Sequence, residues 1–475
     1  MSFTTLDFAV FVSVVFLLYW FLLKKNVKWQ NTLILIASYV FYGWWDWKFL
    51  SLIIISSLVD YLIGVGLGRT EHNLKRKILL YSSLATNLGI LFLFKYFDFF
   101  LDAFKVLFSI ENTQFQAIDM VLPVGISFYT LQTLSYTIDV YNKKIKPHHD
   151  FISFFAFVSF FPQLVAGPIE RAANLLPQFG TERVFSYEKA ADGMRQILWG
   201  LFKKLFVANH CAIFVNEVFT SFHDHQGSTL FIAAIAFTIQ VYCDFSGYSD
   251  MAIGLGRILG FNLTKNFDYP LFSRDISELW NKWHITLISW LRDYVYIPLG
   301  GGRKGKTRKV FNILAIFALS GLWHGAHFTF VLWGVLHGIA LLLHILWRQR
   351  RHSGIVAEGR LLPSYVEAFQ IIRTFLIFTV INVIFRIDTV DNGLSFMMEM
   401  FSVSFFNTPY LPDAAVPVGC MILFNVEWLQ RNKNHGLEMS SQKTHFAVRW
   451  GIYFTLILII LFFAAPGSQF FYFQF

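Results

Sequence analysis

Two histidines carry the strongest chemical signal in this chain. His284 and His324 each stand in a Trp-His pair, Trp283-His284 and Trp323-His324, inside otherwise apolar sequence, with the short basic loop GGGRKGKTRK at 300–309 between them. A polar, titratable ring is costly to leave unpaired in hydrocarbon, so each needs a reason to be there. Gly321 and Gly325 flank the second pair, and such small residues let backbone or a substrate come close to His324. A neutral imidazole is well matched to removing a proton from a hydroxyl near neutral pH, which makes His324 a candidate general base. The alternative is a core histidine satisfied by a helix carbonyl or a neighbouring hydroxyl.

Other groups compete with or support this pair. His327 lies one helical turn from His324, but no HExxH and no carboxylate triad accompanies them, so no metal is expected. His337 faces away from His324 if their helix is continuous, and reads as packed. Ahead of His284, SRDISELWNKW is too polar for a lipid-facing span. Asn281 and His284 are spaced to share a helix face, whereas Asp293 would lie opposite. The segment also reads as an interfacial amphipathic helix anchored by Trp280, Trp283 and Trp290. QVYCDFSGYSD at 240–250 gathers Gln240, Asp244, Ser246, Tyr248, Ser249 and Asp250 within a long apolar run, so that helix should face protein or water. Neither Cys243 nor Ser246 has an evident activating base for a covalent acyl-enzyme.

The elements that position these residues are membrane helices. A hydrophobic fraction of 55%, 15% charge and a mean hydropathy of +0.51 describe a polytopic membrane protein rather than a string of soluble domains. The apolar stretches run in blocks of about twenty residues rather than alternating at period two, which disfavours a β-barrel. Blocks near 6–23, 30–45, 48–68, 78–96, 193–220, 229–260, 310–330, 331–347, 365–386, 393–406, 414–430 and 448–465 give about eleven to thirteen spans. Lys203 and Lys204 interrupt one of these blocks. Pro123 and Gly125, and then Pro162, Gly167 and Pro168, mark segments where helices break or re-enter. Lys24, Lys25 and Lys28, then Arg69 to Lys77, and later Arg348, Arg350, Arg351, Arg431 and Lys433, fall between blocks. That positive-inside pattern puts the N-terminus outside.

Several function classes fall away. The net charge of +9 is spread over short interblock clusters, so no nucleic-acid partner is expected. Cys211, Cys243 and Cys420 are too scattered for a disulfide framework or a thiolate metal site. The N-terminus lacks a basic n-region and a small-residue cleavage site, and the first apolar block reads as a retained helix. The loop at 300–309 lacks P-loop spacing, although a basic cytoplasmic entrance beside a buried histidine suits an anionic acyl donor. GxSxG is absent. A transporter or flippase of lipid-linked sugar stays open, since broken helices and intramembrane polar clusters serve it equally well.

RDISELWNKWHITLISWLRDYVYIPLGG followed by SGLWHGAHFTFVLWGVLHG resembles the membrane-bound O-acyltransferase (MBOAT) superfamily. The nearest branch is that of bacterial alginate O-acetyltransferase membrane subunits, with the D-alanyl transfer protein of teichoic acid synthesis more distant. FYGWWDWKFL, LPVGISFYTLQTLSYTIDVY, FFPQLVAGPIER, YCDFSGYSDMAIGLGRILG and the terminal FFYFQF extend the likeness over nearly the whole chain. The resemblance implies one all-α integral membrane domain over 1–475, its core motifs at about 240–345, with helices around a central tunnel. It implies His324 as the essential histidine and His284 as the second motif histidine. Asn281, Trp283, Trp323, Asp244, Ser246 and Gln240 are candidates to line the tunnel. The donor would be acetyl-CoA or another acyl thioester, with no tightly bound cofactor. The setting would be membrane lipid in the bacterial inner membrane, the acceptor an extracytoplasmic polysaccharide, and the partner of the SGNH-hydrolase type. D-alanyl transfer to a cell-envelope polymer is the competing activity.

Overall fold

The computed structural model describes residues 1–24, 26–108, 121–347, 354–439 and 444–467. Lys25, Arg348, Arg350, Arg351 and the terminal FFYFQF lie outside these residues. Among the described residues every regular element is helical: α1 (Leu6–Leu17), α2 (Val27–Asp46), α3 (Leu50–Arg69), α4 (Asn73–Leu91), α5 (Phe97–Leu107), α6 (Ile126–Tyr141), α7 (Phe151–Ser159), α8 (Ala172–Leu175), α9 (Tyr187–Leu201), α10 (Asn209–Thr220), α11 (Gly227–Ile258), α12 (Ile276–Lys282), α13 (Ile285–Leu291), α14 (Lys306–His324), α15 (Phe328–Leu346), α16 (Tyr365–Arg386), α17 (Val390–Met400), α18 (Ala415–Leu429) and α19 (Phe446–Phe463).

Seven helical stretches among the described residues are long and apolar enough to cross a membrane, and Leu6–Leu22 and Ala415–Leu429 are shorter apolar helices. The chain is a multi-pass, all-α membrane protein. Apolar blocks do not map one to one onto these stretches. Val27–Arg69 joins α2 and α3 through the 3-10 turn Trp47–Phe49. The block at 393–406 is the 11-residue α17 and a further 3-10 turn. At 1.5 Å per residue α17 covers about 16 Å, half of a hydrocarbon core of roughly 30 Å.

The described chain divides into two compact units, residues 1–193 with 255–264, and 194–254 with the described residues from 265 on. In the first, α3, α4 and α6 pack around the carboxyl of Asp60. Its Oδ1 accepts from Ser83 Oγ at 2.5 Å and Thr137 Oγ1 at 3.0 Å, and its Oδ2 from Asn87 Nδ2 at 2.8 Å. Asn87 accepts in turn from Ser56 Oγ at 2.7 Å. The segment expected to break does so. The 9-residue α7 stops at Ser159, ahead of Pro162, and the chain from Ser153 to Glu170 stays buried through irregular turns.

In the second unit α14 and α15 form a tight helical hairpin. A Cβ on Gly321 would lie 2.0 Å from the Phe330 carbonyl oxygen, and one on Gly334 2.0 Å from that of Phe317, so only glycine permits this approach. The long α11 is buried over most of its apolar length, and Asp244, Ser246, Tyr248 and Ser249 are all covered by protein. The polar run in that helix faces protein, as its composition requires.

Candidate active site

A short capped helix delivers His284. The Asp275 side chain accepts from the Glu278 backbone N–H at 2.8 Å and starts α12. Arg274 grips Glu278 with two parallel bonds at 3.0 and 3.1 Å, and Lys282 reaches the same carboxylate at 2.9 Å. Burial alone would raise this carboxyl, but Arg274 and Lys282 outweigh it and hold Glu278 below the ordinary glutamate range. α12 ends at Lys282, Trp283 is extended, and His284 takes a left-handed conformation, φ 45° and ψ 50°. That is unusual for a residue with a side chain, and the surroundings must enforce it.

Asn266 supplies the enforcement. Its backbone carbonyl accepts from the Ile285 N–H at 2.9 Å, and its Oδ1 accepts from the Thr286 N–H at 3.3 Å and the Thr286 hydroxyl at 2.9 Å. The backbone donor fixes which end of the amide is oxygen. The same Oδ1 lies 3.2 Å from His284 Nδ1, so Nδ1 carries the proton and donates. The ring is buried against Phe245 at 4.6 Å and Trp323 at 5.6 Å between centroids, and an imidazolium there would be costly. The neutral ring therefore presents its lone pair on Nε2, a buried atom with no hydrogen-bond partner among the described residues.

This geometry overturns two expectations. Asn281 and His284 do not share a helix face, because the chain turns between them: Asn281 is exposed while His284 is buried. Nor is the segment an interfacial helix, since Trp280, Trp283 and Trp290 are buried in protein. Trp283 packs on Phe267 and Phe378, at 5.3 and 5.0 Å. Asp293 pairs with Arg292 at 2.7 Å, away from His284 as the spacing requires.

His324 is the last residue of α14. Its ring is surrounded by Trp323 at 5.0 Å, Trp333 at 5.3 Å and Phe385 at 5.4 Å, all edge-on, and meets the His284 ring at 6.5 Å. The helix breaks at Gly325, and His327 caps the next one, so His324 and His327 do not stack on one face. His337 stands one turn after Trp333 on α15, 4.9 Å between rings, and also packs on Trp280 at 5.0 Å, a packed histidine as its sequence setting suggested.

The polar run of α11 divides in two. Phe245 touches His284, while its neighbours turn to lysines: Asp244 pairs with Lys204 at 2.5 Å, and Ser246 accepts from Lys203 at 2.9 Å. Both lysines lie in the π-helical turn Phe202–Ala208, a kind of irregularity frequent at functional sites. Lys203 also pairs with Asp250 at 2.6 Å, and the Tyr242 hydroxyl donates to Glu427 at 2.7 Å. Lys203, Ser246, Asp250, Tyr242 and Glu427 line a polar cavity of about 20 Å³, room for a single water, which reaches Asn266 and so the anchor of His284. Gln240 is buried, and its Oε1 has no hydrogen-bond partner among the described residues.

The profile of the membrane-bound O-acyltransferase family matches residues 39–385, which hold both histidines, Asn266 and the aromatic cage. The chain belongs to the membrane-bound O-acyltransferase family. As an MBOAT it is an O-acyltransferase. It is 37% identical over 404 residues to a protein of Pseudomonas aeruginosa named probable alginate O-acetylase AlgI, covering 83% of this chain and 75% of the relative. It is 30% identical over 521 residues to the peptidoglycan O-acetyltransferase of Helicobacter pylori, covering 99% and 97%. A teichoic acid D-alanyltransferase of Bacillus subtilis is 26% identical over 239 residues, 46% of this chain and 58% of that relative.

Two members of this MBOAT site escape a reading of sequence alone. Asn266 comes from the irregular stretch after α11, and Phe385 comes from α16, beyond the histidine motifs. Lys203 did leave a trace, as a charge inside an apolar block.

Proposed function

We propose that this chain moves an acetyl group from a cytoplasmic acyl thioester, acetyl-CoA or a carrier-bound equivalent, through a tunnel across the membrane to hydroxyls of an extracytoplasmic polysaccharide. One arrangement carries the reading: two buried imidazoles face each other inside an aromatic cage. His324 takes the proton of the acceptor hydroxyl as its oxygen adds to the thioester carbonyl carbon. The C–S bond then breaks, and the proton passes from His324 to the departing thiolate, which restores the base. His284 presents Nε2 as an acceptor, so it orients the sugar through a second hydroxyl beside the attacking one rather than stabilising an oxyanion. A small neutral acetyl group can cross where its charged carrier cannot, and a base between the two faces lets donor and acceptor meet.

The exposed basic residues Arg303, Lys304, Lys306 and Arg308 support a cytoplasmic donor entrance, and the same rule puts the N-terminus outside the bacterial inner membrane. Similarity to proteins named for acetylating alginate and peptidoglycan supports acetyl over D-alanyl transfer, since the D-alanyltransferase matches less of the chain. An extracytoplasmic partner of the SGNH-hydrolase type completes delivery to the polymer. The test is ester-linked acetate on surface and secreted polymers of a strain lacking the native gene, complemented with wild type or with His324→Ala at equal membrane level. Wild type restores the ester and the variant does not; full restoration by the variant removes His324 as the base.

A further inference from the structure

A second cavity opens beside His324. It holds about 340 Å³, starts at Gly325 and runs between the α14–α15 turn and the end of α16. The Phe385 ring lies 5.4 Å from His324 and 4.7 Å from Phe330, and both phenylalanines line the cavity, so one aromatic wall serves the histidine cage and the cavity alike. The rim is polar. His327 and Asp388 are exposed, and Arg386 is held in place by donating to Asn216 Oδ1 at 3.0 Å, with its guanidinium 5.9 Å from the Phe219 ring centre. The whole arrangement belongs to the second unit.

The chemistry of this cavity points to a particular acceptor. A lipid chain would cover the Asp388 carboxylate and the Arg386 guanidinium and offer neither a hydrogen bond, at a cost that the two aromatic rings do not offset. Charge alone selects nothing, since an anionic polymer bound only through its charges meets one acid for one base at the rim. A sugar unit satisfies every feature: its hydroxyls donate to the Asp388 carboxylate and accept from Arg386, while its C–H face packs on Phe330 and Phe385. A hydroxyl held there stands one aromatic ring away from His324, across Phe385. We infer that this cavity is the acceptor subsite, which takes a hydroxyl-bearing sugar unit on the Phe330–Phe385 wall with Asp388 as its anchor. The inference rests on the acyl-transfer reading for its direction, but binding at the cavity can be measured without turnover.

The experiment uses full-length protein in lipid nanodiscs, with Ala326→Cys as a reporter inside the cavity and Cys420→Ser to silence the half-buried native thiol. The rate of maleimide labelling is followed with and without two probes, a hexamer of N-acetylglucosamine and a hexamer of mannuronate. At least one sugar slows labelling by about three-fold or more, acetyl-CoA does not, and Asp388→Asn removes the protection. Protection by neither hexamer overturns the subsite, as does protection that survives Asp388→Asn. In the acyl-transfer assay on the same preparations, Asp388→Asn raises the KM for the protecting sugar by about ten-fold and leaves the thioester KM within about two-fold. A change in the thioester KM or in kcat alone overturns the assignment of Asp388. Protection without any ester formed by wild type keeps the subsite and sinks the acyl-transfer reading; ester formed without protection does the reverse.

Discussion

Asp60 and His284 are both polar side chains buried in apolar sequence, and they are treated differently. Asp60 accepts hydrogen bonds from Ser83, Thr137 and Asn87, side chains on the two helices packed against its own, and both carboxyl oxygens are served. His284 has one nitrogen fastened to Asn266 and the other buried with no hydrogen-bond partner among the described residues. A saturated polar group ties helices together. A half-saturated one costs stability unless a water or a ligand arrives to complete it.

The comparison breaks most visibly in activity. His324→Ala and His284→Ala should each lower polymer-bound ester by roughly 10² to 10⁴-fold, the range for loss of an acid–base group. Their thermal unfolding midpoints should fall less than that of Asp60→Val, because each truncation removes one buried ring rather than the shared acceptor of several buried donors. The reverse pattern is expected of Asp60→Val. It removes the acceptor of three buried donors, a loss on the order of 3 kcal/mol or more, and should lower the unfolding midpoint in detergent or abolish stable expression. A stable, inactive Asp60→Val protein would show that Asp60 belongs to the chemistry after all.

Asn266 sharpens the contrast, because it sets which nitrogen of His284 is free. Asn266→Ala leaves Nδ1 without its acceptor and lets the ring take either tautomer, so kcat should fall by about ten-fold while the thioester KM holds. Asn266→Asp puts a carboxylate against Nδ1 and favours the charged ring. Activity should then fall further and recover as pH rises, where wild type changes little. Equal pH profiles for the two proteins would remove Asn266 as the tautomer-setting residue.

How much of this was legible beforehand follows from the range over which each feature is encoded. The membrane helices, the broken segment at Pro162 and the two histidines are local signals, written in composition, breakers and a costly residue type. The site around the histidines is not local. Asn266 precedes α12 in an irregular stretch with no periodicity to read, and Phe385 ends a helix that carries no motif. Periodicity failed where the backbone leaves the regular helix: the left-handed His284 separates it from Asn281, and the break at Gly325 separates His324 from His327.

The smallest effect tests that last point. If helical spacing described this segment, Asn281 would stand beside His284 and its loss would matter as much as that of Asn266. The chain reverses between them, and Asn281 faces outward from a helix whose buried side holds Glu278, Leu279 and Trp280. Asn281→Ala should therefore leave kcat and both KM values within about two-fold and stability within about 0.5 kcal/mol, as for an ordinary exposed substitution. A ten-fold loss of activity in a normally folded Asn281→Ala protein would mean that the turn at Trp283-His284 rearranges when donor binds, and that the aromatic cage around His284 opens with it.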